Sequence, residues 1–243
     1  MKRILSYPLS VIYYFFFGLL LLIFRPVQWL CLHIGGYNAH RKSVVWLNFF
    51  ITNLIYILGG RVSFRVNYPL PLDAPLIVVS NHQSLYDIPP FFWYMRAHHP
   101  KFVSKIELGK GIPSVSYNLR HGGSALINRK DPKQALSTLL NFGYYLEKNN
   151  YAGVIFPEGT RSRNGVPKRF SSNGLKMLVK AAPSAYVVPV TINNSWKLLK
   201  HGNFPLELGV HLTFDVHEPI KASELEFDVL FEKVEEKIKK AII

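Results

Sequence analysis

The stretch NHQSLYD, Asn81 to Asp87, sets a histidine and an aspartate five residues apart, directly after the apolar run LIVVS. An imidazole gains and loses protons near neutral pH. It serves as a general base when a carboxylate holds one ring nitrogen and leaves the other free. A helix is expected to open at about Asp87, and first-turn side chains tilt back toward the residues that precede them. Asp87 can therefore orient His82. A plainer reading uses the same spacing: Asp87 caps the helix and His82 is a solvated turn residue. Ser84 invites a Ser-His-Asp hydrolase, but it stands two residues from His82, and the chain has no G-x-S-x-G elbow.

A second segment, FPEGTRSR (Phe156 to Arg163), again follows an apolar run. Pro157-Glu158-Gly159 reads as a tight turn. Arg161 can grip a phosphate through two parallel hydrogen bonds, with the Thr160 hydroxyl and backbone N–H groups beside it. Between Pro157 and Lys180 six Lys/Arg face one acid, Glu158. A solvated basic face explains the lysines, but less well an arginine in a glycine turn. The third pair of segments is SKIELGKGIP, from Ser104, and HGGSALINR, ending at Arg129. Lys105 and Arg129 each follow a short strand candidate and add positive charge to the same rim, unless they are plain surface cations.

The order NHQSLYD, SKIELGKGIP with GGSALINR, FPEGTRSR, VVPVTI resembles the glycerolipid acyltransferase family, specifically the 1-acyl-glycerol-3-phosphate (lysophosphatidic acid) acyltransferases, over roughly Arg61 to Glu218. His-x4-Asp alone is a weak signal; joined to Glu-Gly-Thr-Arg some 70 residues later it is a strong one. The resemblance implies that His82 and Asp87 are catalytic. It implies that Glu158, Gly159, Thr160 and Arg161 bind the phosphate-bearing acceptor. The family's Ile-Asp-Arg element stands here as Ile127-Asn128-Arg129, so only Arg129 is carried over, and Lys105 is assigned to the same group. No metal and no cofactor is implied beyond the co-substrate, acyl-CoA or acyl carrier protein. The family also implies a membrane-associated helix pair ahead of an α/β domain.

The elements needed to position these groups are legible in outline. RVSFRVN alternates and reads as a half-buried strand. PLIVVS, AGVIF and YVVPVTI are continuous apolar runs, as expected of strands covered on both faces. KFVS and GSALIN are shorter candidates. Helices are expected from about Asp87 to Ala97, from Asp131-Pro132 to about Lys148, and up to Lys240 behind a Ser223–Glu226 capping box. Alternating strands and helices predict an α/β fold, a largely parallel or mixed central sheet flanked by helices.

Residues 1–60 read as an N-terminal membrane-anchoring segment and 61–243 as the α/β acyltransferase domain. Ile4 to Phe24 carries no charge, long enough for a bilayer-crossing helix. Without a small-x-small cleavage site it reads as a retained anchor. Tyr7, Tyr13, Tyr14 and Trp29 are expected at headgroup level. A second uncharged run, Val44 to Gly60, spans roughly 25 Å as a helix; its Asn48, Thr52 and Asn53 are expected to bond the first helix or face headgroups. His40-Arg41-Lys42 between the runs favours two helices lying in one leaflet over a full crossing. Two buried helices of a soluble core are the alternative. Cys31, the one cysteine, reads as a small buried hydrophobe, and it excludes a disulfide framework or a cysteine-held zinc.

The net charge of +14 (29 Lys+Arg against 15 Asp+Glu) calls for an anionic partner, while 49% hydrophobic residues favour an anionic membrane surface over nucleic acid. The expected reaction is direct transfer, in which His82 takes the proton of a lysolipid hydroxyl as it attacks a thioester and Arg161, Arg129 and Lys105 hold the phosphate. Backbone N–H groups near Gly159 are the candidates for the oxyanion. The enzyme is expected at the membrane on its cytoplasmic face, where thioesters are. Another lysolipid acceptor, lyso-ornithine lipid or a lysophosphodiester, fits the same frame, as does a non-catalytic basic membrane tether.

Overall fold

The apolar runs become the centre of a mixed sheet in the computed structural model, which describes residues 2–243. Its strands are β1 (Arg61–Val66), β2 (Leu76–Ser80), β3 (Lys101–Lys105), β4 (Ala125–Ile127), β5 (Ala152–Ile155), β6 (Tyr186–Asn193), β7 (His211–Val216) and β8 (Ile220–Lys221). They lie in the order β1-β7-β6-β2-β5-β3-β4, with β8 on β6. β2 sits between β5 and β6, parallel to both, and all its residues are buried, which is why its sequence does not alternate. β3 and β4 extend the parallel set. β7 runs antiparallel to β6, and β1 parallel to β7. β7 and β8 lie outside the strands expected from the sequence; an antiparallel neighbour needs no crossover helix, so the βα alternation does not flag it.

The helices are α1 (Lys2–Asn53), α2 (Ile88–Tyr94), α3 (Val115–His121), α4 (Pro132–Asn149), α5 (Ser172–Ala181) and α6 (Phe227–Lys240). Successive residues of β2 feed opposite cores. Leu76 and Val78 join Phe91, Phe102 and Phe214 below α1 and α2. Ile77 and Val79 join Leu139, Leu146, Leu175 and Leu230 below α4, α5 and α6. α4 opens as expected, with the Asp131 carboxylate accepting from Gln134 N at 3.0 Å. The Ser223–Glu226 box does not form. Pairing of β8 with β6, continued by the bond from Ala222 N to Ala185 O (2.9 Å), holds the chain through Ala222. Ser223 falls in a 3-10 turn, Glu226 becomes the N-cap, and the helix starts at Phe227.

α1 is two arms joined at Gly36, whose φ of 68° and ψ of −168° are open only to glycine. One face of the long arm packs on the domain. Ser10 Oγ accepts from Leu206 N at 2.8 Å, Leu21 O accepts from Ser114 Oγ at 2.6 Å, and Tyr14 bonds Asn203 O. Ile4, Val11, Phe15, Leu22, Ile23 and Ile34 are exposed on its other side. Tyr7 and Trp29 share that exposure, but Tyr13 does not. It is 1% exposed and packs edge-on against Tyr86, because it lies on the stripe of α1 that covers the sheet. Asn48, Thr52 and Asn53 each donate to the carbonyl four residues back and not to the long arm. Cys31 is half-buried, not buried.

Candidate active site

Strands β2, β3, β4, β5 and β6 are mutually parallel, so their carboxyl ends share one rim. Ligand-binding groups of α/β sheets collect there. His82 and Asp87 follow β2, Lys105 ends β3, Arg129 follows β4, Glu158 to Arg161 follow β5, and Ser195 follows β6.

The chain bends after Ser80 because Asn81 side chain takes over the sheet pattern. Its Oδ1 accepts from Ile192 N at 2.7 Å and its Nδ2 donates to Ile192 O at 2.8 Å. Ser84 then caps the turn into α2 through a bond from Tyr86 N (3.1 Å), with Asp87 completing a capping box. Asp87 thus closes the capping box of the 3-10 turn Leu85–Asp87 and also grips the histidine, while making no side-chain cap bond to α2. His82 Nδ1 lies 2.8 Å from Asp87 Oδ2. That oxygen also accepts from Gln83 N at 2.7 Å and Ser84 N at 2.9 Å. Asp87 is fully buried. A carboxylate so surrounded by donors accepts the proton of Nδ1–H, which leaves Nε2 as the acceptor nitrogen. Nε2 has no partner among the described residues, and the side chain is 17% exposed. Phe156 stacks on the ring at 4.2 Å between centroids, fixing its plane. Ser84 Oγ is engaged by Tyr86 N and Ser195, so no serine nucleophile is set on His82.

Glu158 joins the two principal motifs. Oε1 accepts from His82 N at 2.7 Å and Oε2 from Lys168 N at 2.8 Å. Burial pushes its carboxyl up, and the N–H groups of Lys168 and His82 pull it back. With each oxygen bonded to a backbone N–H, Glu158 braces the β2 loop against the β5 loop. Ser162 adds two bonds to His82 O, 2.7 Å from its N and 3.0 Å from its Oγ. Gly159 takes a φ of 65°, which a glycine adopts without strain. Its N–H is committed to Phe156 O at 3.0 Å, which removes it from the oxyanion candidates. Its carbonyl accepts from Arg129, so the β4 and β5 loops meet as expected. Arg161 is half-buried and Thr160 exposed in the same turn. Lys105 is exposed on the rim, paired in register with Ile127, and has no hydrogen bond to the other site residues.

Sequence reasoning missed the positioning groups Asn81, Ser162 and Ser195. Ser195 is fully buried, and its Oγ donates to Asp87 Oδ1, the oxygen not used by His82. Only the strand order could have pointed to it.

The chemistry of this rim agrees with the comparisons. The family model described as Acyltransferase matches residues 61–193. A chloroplastic 1-acyl-sn-glycerol-3-phosphate acyltransferase of Arabidopsis thaliana is 30% identical over 167 residues, 68% of this chain and 44% of that protein. The 1-acyl-sn-glycerol-3-phosphate acyltransferase of Helicobacter pylori is 35% identical over 134 residues, 54% of this chain and 53% of that protein. The chain spans about half the length of the curated relatives it matches. The crystal structure of the 1-acyl-sn-glycerophosphate (LPA) acyltransferase PlsC from Thermotoga maritima has the same fold, with a TM-score of 0.82 over 100% of this chain and 96% of that one, at 24% identity. With the matched region covering more than half of its residues, this chain belongs to the acyltransferase family.

Proposed function

We propose that the protein transfers an acyl chain from a thioester donor, acyl-CoA or acyl carrier protein, to the free hydroxyl of lysophosphatidic acid, giving phosphatidic acid. The observation that carries this reading is the His82–Asp87 pair, with Nδ1 held at 2.8 Å by a buried carboxylate and Nε2 left free. Nε2 takes the hydroxyl proton as the lipid oxygen attacks the thioester carbon. Asp87 balances the imidazolium as it forms. The tetrahedral intermediate expels the thiolate, which recovers the proton from His82. No acyl-enzyme is needed. Direct transfer needs both substrates bound together, and Arg161, with Arg129 and Lys105, is assigned to the acceptor's phosphate. The relatives' names support this choice of acceptor.

α1 supports a placement within one leaflet of the membrane. Its long arm touches the domain from Ser10 to Leu21, so a full crossing would carry polar domain surface into hydrocarbon. Embedding its exposed apolar side in one leaflet avoids that cost; the cytoplasmic face is assigned because the thioester donors are there. Arg161→Ala tests the acceptor assignment. With the thioester saturating, KM for lysophosphatidic acid should rise 30-fold or more, the scale of about 2 kcal/mol for a lost charged contact. The advantage over lysophosphatidylcholine as competitor should also shrink. An unchanged KM would remove Arg161 from the phosphate site.

A further inference from the structure

The cations assigned to the acceptor all lie on one side of His82. Lys105 ends β3, Arg129 follows β4 and Arg161 follows β5, and these strands occupy the β5 flank of β2. Direct transfer brings a second substrate to the same base, and the opposite flank, toward β6 and β7, is unassigned. β7 runs antiparallel to β6, so the chain leaving β6 and the chain entering β7 share the rim with His82. Between them lies a cleft of about 270 Å³, with Lys197, Lys200 and Gly209 exposed at its edge.

The wall nearest the base is Trp196. Its indole packs on Gly165 of the β5 loop, where an added Cβ would collide with the ring. Its backbone N lies 3.5 Å from Oε1 of Gln83, the residue after His82. The half-buried ring is therefore held in one place beside the catalytic pair. Lys197 Nζ lies 5.9 Å from its centroid. Neither Lys197 nor Lys200 forms a salt bridge among the described residues. Glu207 is the acid of the lining, and its Oε2 is bonded to His201 Nε2 at 3.0 Å. Half-buried Leu208 adds apolar surface. Two unpaired ammonium groups complement a phosphate. An aromatic face beside them suits a slender chain of amides and short methylene runs leading away from that phosphate.

Both thioester donors named above carry the acyl group on such a chain, a phosphopantetheine arm. We infer that this cleft binds the phosphopantetheine of the donor, with Lys197 and Lys200 on its phosphate and Trp196 and Leu208 along the arm. The thioester then reaches His82 from the β6 flank while the lysolipid enters from the β5 flank. The inference rests on the acyl transfer proposed above.

The test follows tryptophan fluorescence of the full chain in dodecyl maltoside at constant ionic strength. The probes are CoA, phosphopantetheine, holo acyl carrier protein and pantetheine, which lacks the phosphate. CoA and phosphopantetheine should each give a saturable change that vanishes in Trp196→Phe. Pantetheine should bind about 25-fold more weakly, as should phosphopantetheine to the Lys197→Met, Lys200→Met double variant, at about fivefold per lost ion pair. Both lysines are exposed, so the double variant should fold. Its KM for the acyl donor should rise by the same factor, with KM for lysophosphatidic acid unchanged. CoA binding more tightly than phosphopantetheine would show that the nucleotide adds contacts; equal affinities, with holo acyl carrier protein binding as well, would make the arm alone the recognised part. Equal affinity for pantetheine and phosphopantetheine, wild-type affinity in the double variant, or a change that persists in Trp196→Phe would overturn the site. Competition by phosphatidylglycerol micelles would assign the lysines to a lipid headgroup and overturn the donor. A wild type that acylates lysophosphatidic acid without any saturable change refutes this site alone; the expected binding in a protein that does not acylate it refutes the acceptor and keeps the site.

Discussion

Replacing Asp87 by asparagine removes one charge and little volume. The amide oxygen can still accept from Gln83 N and Ser84 N, now at 2.7 and 2.9 Å, so the turn into α2 should persist. The amide nitrogen then faces Ser195, whose hydroxyl can turn to accept. What is lost is the charge opposite the imidazolium. Two unit charges with centres about 4 Å apart interact by about 4 kcal/mol at an effective dielectric constant of about 20. At about 1.4 kcal/mol per decade, kcat should fall roughly a thousandfold. KM for lysophosphatidic acid should stay nearly constant, since Asp87 is fully buried. The assay is initial-rate transfer of labelled acyl groups from acyl-CoA, with near-UV circular dichroism to confirm the fold. A folded Asp87→Asn enzyme within tenfold of wild-type kcat would refute the role given to this carboxylate.

Ser195→Ala deletes one buried donor to Asp87; it should cost about 1–3 kcal/mol in urea unfolding and lower kcat several-fold at constant KM, with Ser195→Thr recovering part of both. Glu158→Ala strands the N–H groups of His82 and Lys168, so unfolding free energy should fall by roughly 2–5 kcal/mol and transfer should be lost; a stable, active variant would deny Glu158 its bracing role. Lys101 sets a pH dependence. Its folded value of about 8 lies below the unfolded 10.5, so the unfolded chain binds more protons between them and stability rises with pH there. Below about 8 both states are protonated and the full penalty, roughly 3 kcal/mol, is present. Wild type should therefore gain on Lys101→Met between pH 8 and 10 in detergent, and parallel curves would contradict the shift.

His82 and Asp87 were legible because their contact is local: five residues, one turn and the tilt of first-turn side chains bring them together. The buried strands were legible from unbroken apolar runs, and α4 from Asp131-Pro132. Glu158 was found by type, but its two backbone partners were not. A carboxylate in a basic turn points to a ligand, and only the fold supplies the N–H groups of His82 and Lys168 that occupy it. Ser195 lies 108 residues from Asp87, and nothing near it in sequence marks it until β6 is known to lie against β2. Tyr13 was placed at the headgroups because an uncharged helix shows all its aromatics alike; the stripe that meets the sheet becomes visible only with the sheet in place. β7 hid because it joins β6 by antiparallel pairing.

The most direct measurement supplies the purified chain in detergent with labelled acyl-CoA, and separately acyl carrier protein, together with lysophosphatidic acid, and follows phosphatidic acid by mass spectrometry for wild type and His82→Ala. The mechanism predicts product from wild type with at least one donor and none above background from the variant. Equal product from both proteins would show that the His82 imidazole is not the base, and no product from folded wild type with either donor would contradict lysophosphatidic acid as its acceptor.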